Sequence, residues 1–428
     1  MRIKLKNIAK VKIADIDIKG ITVIAGNNNT GKSTIGKALF SVFNGLNDIE
    51  SKHVKEKYNS LVNALNKLHL YLHYEDAKYQ TSVKDFDFNI NKSKVINDLL
   101  SISLKAPDLE RKIELVLKRN FNYESIENDE SDFLRDAINE IKAILSIDIN
   151  KYINFTISEQ FRNEFNRQII NVFAEASGCI YVELGKQHIS INVDTDNTVS
   201  ISNFSWNDIK AEPIYIDNPF IIDDVFTSPF GDFSTYKNHR SNLLSQLIKN
   251  KYINQIDNII NSNKLNSIMD SINKIIPGEI DLSEGGLSYL YNQKRLDAKN
   301  LSTGIKTFAV LKRLILGGYI STKGIVILDE PEIHLHPEWQ LVLAELIILL
   351  QKEFSLHILI TTHSPYFLNA IEVYVAKHNI NNKCKYYLSK FVEDSESVTF
   401  DDVSNEIDLI YKKLVKPLQK LENLRYRL

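Results

Sequence analysis

The stretch ITVIAGNNNTGKSTIGKALF, residues 21–40, constrains the fold more than any other part of the chain. Its first five residues are mainly apolar and have the length of a buried strand, and a helical pattern begins near Ser33. Between them, the residues GNNNTGKS at 26–33 match the pattern G-x-x-x-x-G-K-[ST]. A strand, a glycine-containing turn and a helix N-terminus direct backbone N–H groups toward one point, which suits a phosphate. The chain is therefore predicted to contain a P-loop within an α/β domain.

The residue types of this loop predict a nucleotide and Mg²⁺ as its ligands. Glycine, and to a lesser degree asparagine, tolerates the left-handed backbone angles that such a turn requires. Lys32 would reach the β- and γ-phosphates, and Ser33 would ligate Mg²⁺. A chance match is the alternative, but the strand before the motif and the helix after it argue against chance. The predicted ATP-binding residues of the loop are Gly26, Asn27, Asn28, Asn29, Thr30, Gly31, Lys32, Ser33 and Thr34.

Two acids follow a second apolar strand in the stretch IVILDEPE. Asp329 ends the strand, and Glu330 comes directly after it. In ATP hydrolysis, a first carboxylate at this place holds Mg²⁺ through water, and a second orients or deprotonates the attacking water. Asp329 is therefore predicted to bind the metal, and Glu330 is predicted to be the catalytic base. An acidic turn at a strand end is the simpler alternative.

A histidine follows a further apolar strand in the stretch ILITTHSP. A lone histidine at a strand end is more often structural than catalytic, but His363 comes where a sensor of the γ-phosphate is expected. It is therefore predicted to be a catalytic residue. His334 and His336, with Glu332, would suggest a zinc site, but alternate-residue spacing in a single loop is weak evidence for one.

Hydrophobic patterning divides the chain into core segments and insertions. Alternating apolar residues after 178, with a turn at 194–197, predict antiparallel strands. Strands that alternate with helices elsewhere indicate an α/β core. The predicted segments are 1–45 (core with the P-loop), 46–178 (helical insertion), 179–220 (core strands), 221–295 (second, lid-like helical insertion), 296–400 (core with the acidic pair and His363) and 401–428 (C-terminal helical tail).

The tail and the overall composition bear on location and partners. The last 22 residues carry six Lys or Arg against two acids, and Pro417 is predicted to break them into two helices that dock on a partner or on DNA. A net charge of -2 gives no general preference for nucleic acid.

The start, MRIKLKNIAK, lacks the apolar core of a signal peptide, and the most apolar run, at 341–350, is too short for a membrane span. Together with two distant cysteines, these features predict a cytoplasmic protein without a membrane partner.

The segment LSTGIK, residues 301–306, completes a family resemblance. Alone it is a helix cap, since Ser302 precedes residues with helical apolar spacing. With the P-loop, the acidic pair and His363, it resembles the signature motif of ABC-type ATPases. The chain resembles their soluble branch, which includes the SMC, RecF and OLD proteins. The stretches DEPEIHLHPEWQ and TTHSPYFL are similar to stand-alone ATPases of bacterial anti-phage systems such as Septu and PARIS.

The resemblance implies a P-loop ABC-type head that hydrolyses ATP as a head-to-head dimer or higher oligomer. Ser302 and Gly304 of one head would contact the γ-phosphate bound by the other. Glu330 would be the base, His363 the switch histidine, and the residues around His334 the D-loop. Where the family often has a glutamine ligand to Mg²⁺, this chain reads EPIYIDNPF, so that Asp217 or Asn218 would replace it.

Several functions fit this resemblance. The favoured one is an ATP-driven switch that regulates a separately encoded effector, such as a nuclease, in anti-phage defence. The alternative is a RecF- or SMC-like ATPase of DNA repair or maintenance that binds DNA directly. A transporter subunit is disfavoured by the large insertions. A nuclease within this chain is also disfavoured, because the 63 residues after Pro365 are fewer than the roughly 100 of a TOPRIM domain.

Overall fold

The computed structural model describes residues 1–79, 88–103, 108–121, 131–174, 176–206, 209, 212–225, 238–251, 265–266, 268–283 and 286–425. The chain forms two compact units, one of residues 1–47 and 156–428 and the other of residues 48–155. The first unit combines a large sheet with helices, and the second is helical. The predicted α/β fold with N-terminal antiparallel strands and helical insertions is confirmed. Within the described ranges, no helix is long and apolar enough to cross a membrane.

The strands form two sheets. Their bounds are β1 (Arg2–Ile8), β2 (Val11–Asp17), β3 (Ile21–Ala25), β4 (Gly178–Leu184), β5 (Gln187–Val193), β6 (Val199–Ser205), β7 (Ile214–Ile216), β8 (Glu279–Ser283), β9 (Gly286–Tyr291), β10 (Lys294–Asp297), β11 (Ile325–Asp329), β12 (His357–Thr362), β13 (Cys384–Phe391) and β14 (Val398–Asp402). Among the described residues, eleven strands form one mixed sheet in the order β6-β5-β4-β1-β2-β14-β13-β3-β12-β11-β7, and β8 to β10 form a second.

The centre of the large sheet is parallel, and this places the candidate site. Strand β12 pairs in parallel with β3 on one side and with β11 on the other. Apart from His357, which begins β12, and Asp329, which ends β11, all three consist of Ile, Leu, Val, Thr and Ala and are buried, as parallel strands between helices require. The carboxyl ends of parallel strands meet at the same edge of a sheet. The P-loop, the acidic pair and His363 therefore lie side by side.

The outer part of the large sheet is antiparallel. Strands β1 and β2 form a hairpin, and in β1 the exposed Arg2, Lys4 and Lys6 alternate with buried residues. Strands β4, β5 and β6 continue the sheet, and the predicted turn at 194–197 joins β5 to β6. Alternation is the expected pattern for a sheet with one solvated face.

The helices have the following bounds in the structure. They are α1 (Lys32–Leu46), α2 (Ile49–Tyr79), α3 (Phe88–Leu100), α4 (Leu109–Phe121), α5 (Ser131–Ser146), α6 (Ile149–Glu164), α7 (His239–Ile248), α8 (Thr303–Leu316), α9 (Pro337–Phe354), α10 (Pro365–Lys377) and α11 (Asp408–Arg425). Short 3₁₀ helices span Pro219–Asp224, Ala298–Asn300 and Asn381–Lys383. In the second unit, α2 to α5 enclose an apolar core that includes Leu65, Ile96, Ile113 and Ile141.

The predicted second helical insertion, 221–295, differs from the structure at its end. From Glu279 the chain forms the three-stranded sheet β8-β9-β10 instead of a helix. The turn between β9 and β10 is made by Asn292 and Gln293, both with positive φ, which is typical of a tight hairpin. The alternation of apolar and polar residues in GLSYLY covers only six residues. The sequence therefore predicts a continuation of the helical pattern that precedes it.

The prediction that Pro417 divides the tail into two helices is wrong. Helix α11 is continuous from Asp408 to Arg425, with Pro417 inside it. A proline within a helix removes one backbone hydrogen bond and adds a steric clash with the preceding turn. Residues 416–425 are exposed, so the helix can bend away from that clash without disturbing any packed neighbour.

Candidate nucleotide-binding site

The P-loop packs against β13, a strand that carries no recognised motif. Gly26 lies so close to β13 that a Cβ atom there would be 1.9 Å from the Ser389 hydroxyl oxygen. The same hydroxyl is 2.7 Å from the hydroxyl of Thr30, which also donates to the Asn27 carbonyl at 2.7 Å. Gly31 has a φ of 66°, which favours glycine. The loop shape therefore depends on both glycines and on Ser389.

Lys32 is a buried cation beneath the loop. Its side chain is 4% exposed, and its Nζ donates to the carbonyl oxygens of Gly26 at 3.1 Å and Asn27 at 2.8 Å. The same Nζ lies 3.3 Å from Oε1 of Glu330. Helix α1 begins at this residue, so its N-terminus and the lysine charge act at the same place. The arrangement attracts an anion to the loop.

Asp329 is held in position by two hydroxyl groups. The Thr361 hydroxyl donates to its Oδ1, and the Tyr215 hydroxyl donates to its Oδ2 at 3.2 Å. Burial, with the charge of Asp329, raises the pKa of Tyr215 well above its ordinary value, so that the hydroxyl keeps its proton. The carboxylate is thereby fixed at the end of β11, beside the start of α1.

Glu330 and His363, the two predicted catalytic residues, lie next to each other. Oε2 of Glu330 lies 3.4 Å from Nδ1 of His363, while its Oε1 faces Lys32. The Glu330 backbone N–H donates to both the carbonyl and the hydroxyl oxygens of Thr361, each at 3.1 Å. Both side chains remain partly exposed, Glu330 by 24% and His363 by 37%. The pair is therefore accessible to a ligand.

A cleft of about 560 Å³ brings most of these residues together. It is lined by loop residues 28–34, by Asp329 and Glu330, and by Ala9, Lys10, Asp217 and Ile333. Ala9 and Lys10 form the turn between β1 and β2, and no sequence motif pointed to them. The predicted residues Gly26, Asn27 and His363 do not line the cleft, but each contacts a residue that does.

Asp217 and Asn218, the two candidates for the place of the family's glutamine, differ in their contacts. Asp217 lines the cleft just after β7. The side chain of Asn218 is used elsewhere, because its Oδ1 accepts the backbone N–H of Phe220 at 2.9 Å and caps a 3₁₀ helix. Only Asp217 of the two faces the cleft.

Asp217 belongs to a partly buried cluster of charged side chains that no sequence motif indicates. Oδ2 of Asp217 accepts hydrogen bonds from Nε2 of His239 at 3.2 Å and from Arg240 at 3.1 Å. Nδ1 of His239 donates to Glu164 at 2.6 Å, and its ring stacks on Tyr215 at 4.4 Å. Burial alone would lower the pKa of His239, but the hydrogen bonds to Asp217 and Glu164 raise it to about 9. His239 is therefore a cation in this cluster.

The signature residues lie apart from the cleft. Ser302 is exposed and precedes α8, and neither Ser302 nor Gly304 lines the cleft. Gly304 is buried, and a Cβ atom there would be 2.7 Å from the ring of Trp339. This close packing explains the glycine without reference to a ligand.

The loop histidines have separate contacts. His334 packs edge-on against Phe220, with ring centroids 5.6 Å apart. His336 caps α9, since its Nδ1 accepts the backbone N–H of Glu338 at 3.4 Å. Glu332 is buried and receives a hydrogen bond from Thr362. In the part of the chain that the structure describes, no group of three or more His, Cys, Asp or Glu side chains is placed to hold a metal ion.

The oxygen groups of the cleft nevertheless fit Mg²⁺ bound together with a phosphate. Ser33, Asp329 and Asp217 line the same cleft, and Mg²⁺ prefers oxygen ligands. Proteins commonly hold this ion with one or two carboxylates, while the substrate phosphates and water complete its octahedron. The fixed Asp329 carboxylate meets that requirement.

The sequence of the chain matches one ATPase family and is similar to two proteins named as probable ATPases. Residues 1–368 match the model of a family described as AAA ATPase domain. The chain is 25% identical over 386 residues to the Retron Ec83 probable ATPase of Escherichia coli, covering 83% of this chain and 66% of that protein. It is 24% identical over 401 residues to the Retron Vc95 probable ATPase of Vibrio cholerae serotype O1 biovar El Tor, covering 86% and 70%. The match thus spans just under two thirds of the first relative.

Solved structures of SMC heads are also similar. An SMC head bound to the C-winged helix domain of ScpA matches with a TM-score of 0.44 and 14% identity, covering 95% of this chain and 98% of that one. The SMC head domain from Thermotoga maritima matches with a TM-score of 0.37 and 13% identity, covering 94% and 98%.

Proposed function

The chain belongs to the AAA ATPase domain family, and we propose that it binds ATP in the cleft described above and hydrolyses it to ADP and phosphate. One observation carries the proposal: the Glu330 carboxylate lies between Nζ of Lys32 at 3.3 Å and Nδ1 of His363 at 3.4 Å. A carboxylate between the phosphate-binding lysine and a histidine is where an attacking water would have to be activated.

The P-loop supplies the binding energy for the phosphates. The N–H groups at the start of α1 point toward them, and Lys32 would exchange its bonds to the loop carbonyls for bonds to phosphate oxygens. Ser33, Asp329 and Asp217 would hold Mg²⁺, directly or through water. When bound, that ion would neutralise charge on the phosphate oxygens and align them.

Hydrolysis requires one proton transfer and one displacement. Glu330 orients a water molecule and takes its proton as the water oxygen attacks the γ-phosphorus. The bond from that phosphorus to the oxygen bridging to the β-phosphate breaks, and ADP leaves with the electron pair. His363 would hydrogen-bond to the γ-phosphate and so report its presence to the segment that follows β12.

The signature residues support a dimer. Ser302 is exposed and does not line the cleft of its own chain, so a γ-phosphate bound there is not its partner. A second copy that faces this chain would bring its own Ser302 and Gly304 to the nucleotide. The site would then be composite, and hydrolysis would require two heads.

A head dimer of this kind is useful when a second activity responds to it. We place that activity in a separately encoded effector, such as a nuclease, that acts in anti-phage defence. The similarity of DEPEIHLHPEWQ and TTHSPYFL to ATPases of anti-phage systems supports this, as do two relatives named as retron probable ATPases. Direct action on DNA is the competing proposal.

The nucleotide part of the proposal is tested with Lys32→Ala. This change removes the buried cation of the loop, so equilibrium binding of a labelled ATP analogue should be abolished and Mg²⁺-dependent phosphate release should fall to background. Lys37→Ala, on the same helix but outside the cleft, is the control and should bind as the wild type does. Wild-type affinity in Lys32→Ala would refute the site.

The proposed effector is tested by expressing the native operon and purifying this protein together with any protein that binds it. A stable complex with a second protein, whose activity changes when ATP replaces ADP, is the expected result. Titration with DNA at two salt concentrations tests the competing proposal, because phosphate contacts weaken steeply as salt rises. A protein that purifies alone and binds or cleaves DNA unaided would overturn the effector proposal.

A further inference from the structure

Strand β12 ends in two consecutive threonines, one of which contacts the last residue of β11 and the other the segment after it. Thr361 and Thr362 are fully buried. The Thr361 hydroxyl bonds to Asp329, and the Thr362 hydroxyl donates to Oε1 of Glu332 at 2.5 Å. The two segments that carry Glu330 and His363 are therefore joined by side chains as well as by the sheet.

The Glu332–Thr362 contact lies beyond the end of the strand pairing. Strands β11 and β12 pair from Ile325 with His357 to Asp329 with Thr361, and the ladder stops there. Glu332 is only 2% exposed, and burial raises the pKa of its carboxyl group although the Thr362 hydrogen bond opposes this. Burying a carboxyl group costs free energy that one hydroxyl only partly returns. Sheet formation does not require this contact.

Thr362 also fixes the residues around His363. Its hydroxyl oxygen accepts the backbone N–H of Ser364 at 3.0 Å. The Ser364 hydroxyl in turn accepts the N–H of Phe367 at 3.1 Å and caps α10. His363 thus lies between two residues that are each held in place, and the first of them is bonded to Glu332.

We propose that Glu332 is a positioning residue that acts through Thr362 and sets the distance between His363 and Glu330. Neither Glu332 nor Thr362 lines the cleft, so the effect reaches the nucleotide only through His363. With the contact in place, the histidine and the base meet the same γ-phosphate and its attacking water. This inference rests on the proposed hydrolysis and adds two residues to it.

Substitutions at Thr362 test the inference. Thr362→Val keeps the side-chain shape and removes the hydroxyl, so kcat should fall about 10- to 100-fold, the scale of a small misplacement in an active site, while ATP affinity is kept. Thr362→Ser keeps the hydroxyl and should retain most of kcat. Thr22→Val is the matched control, since Thr22 is equally buried and its hydroxyl donates to the Asp17 carbonyl at 3.1 Å near the opposite end of the sheet. It should lower stability without lowering kcat.

Glu332→Ala tests the same contact without changing Thr362. It should lower kcat as Thr362→Val does, and the double variant should lose no more than either single one, because the pair acts as a unit. In a His363→Ala background both changes should become neutral for the residual kcat.

The outcomes separate the inference from the function on which it rests. A wild-type protein that hydrolyses no ATP would overturn the proposed function and this inference with it. If the wild type is active, unchanged kcat in Thr362→Val and Glu332→Ala would overturn the inference alone. So would an equal loss of kcat with and without His363, since the pair would then act by general destabilisation.

Discussion

Glu330 is held in a backbone conformation that glutamate seldom adopts. Its φ is 51°, in the left-handed region, where a residue with a side chain costs on the order of 1 kcal/mol. The two hydrogen bonds from its N–H to Thr361 and the ion pair of its carboxylate with Lys32 offset that cost. The strain directs the carboxylate into the cleft instead of along the strand, which is what a catalytic base requires.

Tyr215→Phe tests how Asp329 is held. Loss of the hydroxyl leaves Oδ2 of Asp329 with a freer orientation, so the Mg²⁺ concentration for half-maximal hydrolysis should rise several-fold, with ATP binding in the absence of Mg²⁺ unchanged. Tyr387→Phe is the control, because Tyr387 is also buried and its hydroxyl accepts one hydrogen bond, from the Asp17 N–H at 2.8 Å. An unchanged Mg²⁺ dependence in Tyr215→Phe would show that the tyrosine does not orient the carboxylate.

At the scale of elements, the sequence predicts the centre of the sheet well and the supports of the site poorly. Strands β3, β11 and β12 are continuous apolar runs followed by recognisable motifs, so their function-bearing ends could be expected side by side. Glu164 and His239 meet only in the fold, on helices 75 residues apart, and neither has a local pattern. No local sequence pattern marks Ser389 either, because its contact with Gly26 depends on how β13 pairs with β3.

His239, the first residue of helix α7, should make the free energy of unfolding depend on pH. Its pKa is about 9 in the folded protein and 6.5 ordinarily, so the unfolded state loses this proton first as pH rises. The stabilisation is complete below about pH 6.5 and is lost by about pH 9, with an upper size on the order of 3 kcal/mol.

Denaturant unfolding in metal-free buffer measures this effect. The difference in free energy of unfolding between the wild type and His239→Gln should shrink steadily from pH 6 to pH 9. A difference that stays constant over this range would mean that His239 is not charged in the folded state.

At the scale of the whole molecule, the composite site makes a prediction about mixtures. Ser302→Arg should fold and bind ATP, because Ser302 is exposed and makes no side-chain cap hydrogen bond, but it should not hydrolyse ATP. Mixed in equal amounts with Lys32→Ala, it should recover about a quarter of wild-type activity, since half of the dimers are mixed and each of those has one complete site. Full activity of Ser302→Arg alone, or no recovery in the mixture, would refute the composite site.

The most direct test of hydrolysis in this cleft compares binding and turnover in Glu330→Gln. The amide keeps the size of the side chain and removes the base, so ATP affinity should stay within a few-fold of the wild type while single-turnover hydrolysis slows by about 10²- to 10⁴-fold. Glu338→Gln, an exposed position in the first turn of α9, is the control and should change neither quantity. Hydrolysis by Glu330→Gln at the wild-type rate would contradict the account.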